Sequence, residues 1–117
     1  MTAAVYNFVL EQGTSLTKRL VWKDSNNVPV NLFGYTARMQ VRESFDSVTK
    51  LIELTTENGK IELTAATGTV ALIFEPEDTV DAYWTSAKYD LELVSSIGKV
   101  TRLLKGKFKL LQEITRV

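Results

Sequence analysis

The chain alternates apolar and polar side chains with a period of two along several short segments. In residues 35–42 the apolar positions are Ala37, Met39 and Val41, and the polar positions are Arg38, Gln40 and Arg42. Residues 87–94 and 99–111 repeat this alternation. A period of two is typical of a strand that buries one face and exposes the other. The pattern therefore predicts a β protein.

Turn signals divide the chain into about eight predicted strands. They span residues 5–10, 16–23, 35–42, 50–54, 60–63, 69–74, 87–94 and 99–111. The Asn58-Gly59 step predicts a hairpin between two of them, because both residues accept the left-handed backbone of a tight turn. Residues 69–74 are apolar throughout except at Thr69, which predicts burial on both faces. Residues 75–84 predict one short helical turn. This spacing favours an all-β sandwich or barrel, built as one domain over residues 1–117.

The charges of the chain cancel in sum but are segregated along it. Fourteen Lys+Arg balance fourteen Asp+Glu. The net charge is +3 over residues 1–42, −8 over residues 43–98 and +5 over residues 99–117. A neutral chain is a poor candidate for general binding to nucleic acid or to anionic membranes. If the segregation survives folding, oppositely charged surfaces would suit head-to-tail stacking in an assembly.

The residue types present exclude several kinds of chemistry. The sequence contains no Cys and no His, which removes disulfides, thiolate nucleophiles and Cys/His zinc sites. The carboxylates on predicted strands fall at outward positions or turns, so neither enzyme activity nor a cofactor is expected. The first residues lack the pattern of a signal peptide, and no apolar run approaches the ~20 residues that cross a bilayer. The chain is therefore expected to be made in a cytoplasm without a visible export route.

A stripe of lysines marks the last predicted strand. Lys105, Lys107 and Lys109 are spaced about 6–7 Å apart along one face, close to the step between nucleotides. No aromatic residue interleaves them for base stacking, so a solvated strand face is the favoured interpretation.

Residues 75–84 combine carboxylates with an aromatic pair. The acidic residues Glu75, Glu77, Asp78 and Asp81 have the oxygen ligands that Ca²⁺ prefers, although carboxylates that open a helical turn need no metal. Tyr83 and Trp84 follow them. These aromatic residues can pack in the core, cover one end of a sandwich or anchor a protein interface.

Four parts of the chain together resemble a family of small virion-associated proteins of tailed bacteriophages and prophages. They are YNFVLEQG at 6–13, WKDSN at 22–26, VPVNLFGYTARMQVR at 28–42, and YDLEL at 89–93 with VTRLLKG at 100–106. The family shares an EQG turn, a PVDLTGYTARMQIR block, a YDLEL strand and a VxRLLxG strand. The N-terminal module of phage baseplate upper proteins is similar in pattern. The chain departs from the pattern at Asn31 and Phe33, where Asp and Thr are usual.

The resemblance implies an immunoglobulin-like antiparallel β-sandwich of about seven to eight strands that serves as a structural protein of the virion. Its place would be the tail, the baseplate or a fibre attachment, and its partners other virion proteins, with self-association in the assembly. A capsid decoration protein and a host-surface glycan-binding module are the alternatives. From the residue patterns, the expected contact residues are Trp84, Tyr83, Arg38, Arg42, Lys105, Lys107 and Lys109.

Overall fold

Two β-sheets pack face to face in the described part of the chain. The computed structural model describes residues 3–112, and across them the chain forms nine strands. The strands are β1 (Ala4–Val5), β2 (Phe8–Glu11), β3 (Leu16–Val21), β4 (Thr36–Arg42), β5 (Ile52–Thr55), β6 (Ile61–Thr64), β7 (Thr69–Phe74), β8 (Ser86–Val94) and β9 (Val100–Leu111). The six-stranded sheet contains β1, β2, β9, β8, β4 and β5, and the three-stranded sheet contains β3, β7 and β6. The predicted all-β sandwich is confirmed.

The strand order is that of a variable-type immunoglobulin domain. Neighbours run β9-β8-β4-β5 in the large sheet and β3-β7-β6 in the small sheet, and all these pairs are antiparallel. They match the G-F-C-C′ and B-E-D orders of that fold. At the N-terminus β1 and β2 run parallel to β9, so the sandwich is antiparallel except for these two pairings. A period of two is common to both strand directions, so the sequence pattern did not reveal this pairing.

The apolar faces of the two sheets meet in one core. The inward residues of β4 and β8 are Ala37, Met39, Val41, Ala87, Tyr89, Leu91 and Leu93, as their alternation predicted. Phe108 of β9 is fully buried between the sheets. Its ring centroid lies 5.6 Å from those of Phe8 and Phe74 and 5.8 Å from that of Trp84. This aromatic cluster ties the large sheet to the small one.

The backbone changes its path between β1 and β2, at Tyr6 and Asn7. Here the Asn7 side chain takes the place of a backbone carbonyl in the hydrogen bonding to β9. Its Oδ1 accepts a hydrogen bond from the Lys107 N–H at 3.0 Å. The Tyr6 carbonyl accepts a hydrogen bond from the Tyr89 hydroxyl at 2.5 Å. Gly106 lies directly against this carbonyl, and a Cβ there would overlap it. Glycine therefore makes room for the hydrogen bond that fastens the N-terminal strand.

The predicted hairpin around Asn58-Gly59 is wrong. β5 pairs with β4 and β6 pairs with β7, so this turn carries the chain from one sheet to the other. Asn58 Oδ1 accepts hydrogen bonds from the N–H groups of Thr55 and Lys60, both at 3.0 Å, and Gly59 has a φ of 79°. The Asn-Gly step does make a tight turn. Turn chemistry alone does not determine whether the flanking strands pair with each other.

The remaining elements are short. The predicted helical turn in residues 75–84 is a 3-10 helix at Pro76–Asp78, and a second 3-10 helix occupies Ala65–Thr67. β7 is the central strand of the small sheet, and its residue Ile73 is only partly buried, so burial on both faces is incomplete. Within residues 3–112 neither helix has the length or apolar character to cross a membrane.

Candidate functional site: a basic groove

A groove of about 610 Å³ lies on the outer face of the six-stranded sheet. Its floor comes from outward side chains of β4, β8 and β9, and its sides come from the β4–β5 loop and the N-terminal strand. We call it the basic groove, and its main lining residues are Val5, Asn7, Arg42, Phe45, Lys88, Asp90, Arg102, Lys105 and Lys107. A volume of this size is within the range of sites that hold small ligands or several side chains of a partner.

Three cations stand side by side across the floor of the basic groove. In the sheet register Arg42 of β4 lies opposite Lys88 of β8, and Lys88 lies opposite Lys107 of β9. Adjacent strands are about 4.8 Å apart, and like charges directly opposite each other destabilise a sheet. None of the three forms a salt bridge with a carboxylate of residues 3–112. The row is therefore suited to an anionic partner from outside the chain.

Neutral acceptors fix the guanidinium group of Arg42. Its Nη1 donates to the Ser47 carbonyl at 2.6 Å, and its Nη2 donates to Gln40 Oε1 at 2.8 Å. Gln40 Nε2 in turn donates to Glu53 Oε2 at 3.1 Å. The Lys50 hydrogen bond and this Gln40 hydrogen bond lower the pKa of Glu53, against partial desolvation that raises it. Arg42 is thus oriented in advance without a direct salt bridge, although its charge also helps to lower the pKa of Glu53.

A chain of salt bridges lies beside the cation row. Arg102 Nε is 3.1 Å from Asp90 Oδ2, and Arg102 Nη2 is 3.2 Å from Glu92 Oε2. Arg38 Nε is 2.9 Å from Glu92 Oε1. Partial burial raises the pKa of Asp90, the nearby Glu92 carboxylate adds to this, and Arg102 opposes it. Asp90 is the one carboxylate among the described lining residues, and it is already paired.

Each side of the basic groove has an exposed apolar side chain. The Phe45 side chain is 86% exposed, and its ring centroid lies 4.9 Å from the Lys88 ammonium nitrogen. An exposed cation–aromatic contact of this kind contributes about 0.5–1 kcal/mol. Val5, on the opposite side, is 69% exposed. A basic floor between apolar sides fits a partner segment that carries both carboxylates and apolar side chains.

Tyr89 lines the basic groove, and its phenol makes the stability of the fold depend on pH. Burial raises the pKa of the Tyr89 phenol above its ordinary value, and Tyr6 adds to this. A raised folded-state pKa favours the neutral phenol, so its stabilising contribution is complete below about pH 10 and declines as the pH rises further. Tyr89→Phe also removes the hydrogen bond to Tyr6. We expect it to lower the free energy of unfolding by about 1 kcal/mol at neutral pH and to lessen the decline above pH ~10.

Urea titrations at pH ~7 and pH ~10.5 measure both effects. Tyr35→Phe is the matched control, because the Tyr35 hydroxyl makes no hydrogen bond within the described part of the chain. If Tyr89→Phe has the same stability as the native chain at both pH values, the hydrogen bond to Tyr6 contributes nothing.

The structure brings together some of the predicted contact residues and separates others. Arg42, Lys105 and Lys107 line the basic groove. Lys109 is exposed on the same strand but lies beyond the groove, opposite Ser86. Arg38 belongs to the neighbouring salt bridges. Contact of these residues with a partner stays a prediction.

The two predicted aromatic contacts differ in their exposure. Trp84 is only 6% exposed, because its ring packs on Phe108 in the core. It does not provide the exposed interface anchor that was one of its predicted roles. Tyr83 is 73% exposed, and its hydroxyl donates to Glu43 Oε1 at 3.1 Å. That carboxylate raises the pKa of Tyr83.

Sequence reasoning missed Lys88 and Phe45 as members of the site. The alternation of β8 did place Lys88 outward, but it gave no information on which strand pairs with which. The register alone puts Lys88 between Arg42 and Lys107. Phe45 lies in a loop without a periodic pattern, so no signal in the sequence pointed to its side chain.

The β7–β8 connection is a second charged surface. Its residues 75–83 form what we call the acidic loop, with four carboxylates in nine residues. One of them serves the loop itself: Asp78 pairs with Lys60, and its Oδ2 accepts from the Glu75 N–H at 2.8 Å. Glu77 and Asp81 are exposed. Across the residues that the structure describes, no group of three or more carboxylates is placed to hold a metal ion.

A comparison of the chain with protein-family models and with curated proteins finds no match.

Proposed function

We propose that this protein is a structural docking module of a bacteriophage virion, placed in the tail, the baseplate or a fibre attachment and without catalytic activity. The observation that carries the docking role is the row of Arg42, Lys88 and Lys107. These three cations oppose one another across neighbouring strands, and no carboxylate within the described range pairs with them. Such a row stabilises the protein only when an anionic partner covers it.

The arrangement of the site supports binding in preference to a reaction. Asp90 is paired with Arg102, and Arg42 is held by the Ser47 carbonyl and Gln40. Groups that are fixed in this way present a stable pattern of charge to a partner surface. The sandwich holds this pattern of charge on the outer face of its larger sheet, across three central strands that pair over long ladders.

The resemblance to virion-associated proteins supports the choice of assembly. The GYTARMQVR block, which is its most specific part, forms the loop before β4 and β4 itself. β4 supplies Gln40 and Arg42 to the basic groove. The segment that carries the resemblance therefore contributes directly to the proposed docking surface.

Reversal of two groove charges tests this function. Lys88→Glu/Lys107→Glu is expected to reduce incorporation of the chain into virus particles by about tenfold or more, because close opposite charges at an interface become like charges. The particles are purified from the phage or induced prophage whose genome encodes the chain. The host supplies the native chain or a variant, and the incorporated chain is quantified by immunoblot.

A second double variant controls for the change in net charge. Lys23→Glu/Lys99→Glu changes the charge by the same amount at exposed positions outside the groove, and it should incorporate as the native chain does. Gold-labelled antibodies place the native chain in the particle. Label on the tail supports the proposal, label over the head indicates capsid decoration, and complete absence of the chain from particles overturns the virion role.

A further inference from the structure

We infer that the basic groove of one copy receives the acidic loop of a second copy, so that the protein assembles head to tail. This inference rests on the proposed docking function and names the partner of the same site. It commits to self-association through two different surfaces of the chain.

The free face of the acidic loop matches the basic groove in chemistry. Glu77 and Asp81 are exposed and form no ion pair or hydrogen bond within residues 3–112. Val80 and Tyr83, on the same loop, are exposed apolar side chains. The loop thus alternates carboxylates with apolar groups over a few residues. The groove offers cations on its floor and apolar side chains on its sides.

The acidic loop is held in one conformation before any partner binds. The Thr79 side chain is buried, and its Oγ1 accepts a hydrogen bond from the Gly13 N–H at 2.8 Å. Gln12 Nε2 donates to the carbonyls of Val80 and Ala82, both at 3.2 Å. A segment that is already ordered loses little conformational entropy on binding, which favours its use as a contact surface.

The loop cannot fill the groove of its own chain. Tyr83 of the acidic loop contacts Glu43 at the start of the β4–β5 loop. Phe45 of the same β4–β5 loop lines the groove and contacts Lys88 there. The β4–β5 loop therefore stands between the two surfaces. The contact has to be made between copies, and it joins two different surfaces. A contact of this heterologous kind closes into a ring or continues as a filament.

The overall charge of the chain supports a second copy as the partner. The net charge is zero, yet the groove row is purely cationic and the exposed charged side chains of the loop are anionic. Each copy therefore carries both halves of a complementary pair. Self-association compensates both surfaces at once, without a partner of opposite net charge.

Complementary charge reversal tests the inference. The groove variant is Lys88→Glu/Lys107→Glu, and the loop variant is Glu77→Lys/Asp81→Lys. We expect the native chain to form oligomers that dissociate as salt rises from about 50 mM to about 500 mM, since salt screens exposed charges. Each variant alone should self-associate at least about tenfold more weakly. Their equimolar mixture should associate, and the chain carrying all four substitutions should regain self-association.

Light scattering and sedimentation measure the masses, and circular dichroism verifies that each variant is folded. Lys23→Glu/Lys99→Glu is the control and should associate as the native chain does. The inference is overturned if the native chain is monomeric at all salt concentrations, or if the mixture of groove and loop variants stays monomeric.

Particle incorporation separates this inference from the proposed function. If incorporation requires Lys88 and Lys107 but tolerates Glu77→Lys/Asp81→Lys, the groove binds a different virion protein, and the docking function stands without self-association. If neither double variant alters incorporation, the groove is not the docking surface and both proposals fail.

Discussion

Replacement of Phe108 by alanine is expected to lower the free energy of unfolding by about 3–5 kcal/mol. Phe108 is fully buried, and its ring packs on those of Phe8, Phe74 and Trp84, which belong to both sheets and the loop at their end. Alanine removes these contacts and leaves a cavity. The neighbouring rings cannot close it, because each is fixed by its own part of the backbone. The loss is a large share of the ~5–15 kcal/mol that stabilises an ordinary domain.

Urea titration followed by tryptophan fluorescence measures this loss, since Trp84 lies next to Phe108. Phe33→Ala is the matched control: it removes the same kind of side chain from a position that is 84% exposed and should change the stability by less than about 0.5 kcal/mol. Phe108→Leu retains most of the volume and should cost less than about 1.5 kcal/mol, which keeps the test measurable if the alanine variant does not fold. If Phe108→Ala is as stable as the native chain, Phe108 does not lie at the centre of the core.

The period of two correctly predicted which side chains of the central strands are buried. In these strands burial depends only on which face of the sheet a side chain occupies. The inward sets of β4 and β8, which include Met39 and Leu91, are buried as expected. One face of each strand packs on the core and the other meets water, so alternation in the sequence translates directly into orientation. The fold class follows from the same signal.

Strand pairing could not be predicted from the sequence because it depends on contacts between distant segments. The Asn58-Gly59 turn is local, yet β5 joins β4 in one sheet and β6 joins β7 in the other. The parallel pairing of β2 with β9 joins residues about 100 positions apart, such as Phe8 and Phe108. The pattern of apolar and polar residues within one strand does not indicate which distant strand pairs with it.

In the basic groove, too, the sequence predicted the orientation of the side chains but not which strands lie side by side. Alternation placed Arg42, Lys88 and Lys107 on outward faces, each on its own strand. Only the register brings them into one row, and only the β4–β5 loop adds Phe45 as a side of the groove. The lysine stripe runs along β9, whereas the row that we propose for docking runs across β4, β8 and β9.

Gly106→Ala is the second substitution with a large expected effect, because it forces the N-terminal strand away from β9. A Cβ at position 106 would overlap the Tyr6 carbonyl oxygen and would lie 2.9 Å from Asn7 Oδ1. In most strands alanine is more stable than glycine by about 0.5–1 kcal/mol. Here we expect the opposite sign and a loss of about 2–4 kcal/mol, from overpacking together with the broken hydrogen bond between Tyr89 and Tyr6.

The same substitution is expected to weaken assembly, because Val5 and Asn7 of the displaced strand line the basic groove. Urea titration gives the stability, hydrogen exchange at the Lys107 N–H reports release of the Asn7 contact, and light scattering gives the oligomer mass. Lys99→Ala, an exposed substitution just before the same strand and outside the groove, should leave all three unchanged. If Gly106→Ala is as stable as the native chain and retains slow exchange at Lys107, the close approach of Tyr6 to β9 does not exist. If it loses the N-terminal contact but keeps the native oligomer mass, the groove binds its partner without the N-terminal strand, and the cation row on β4, β8 and β9 is sufficient.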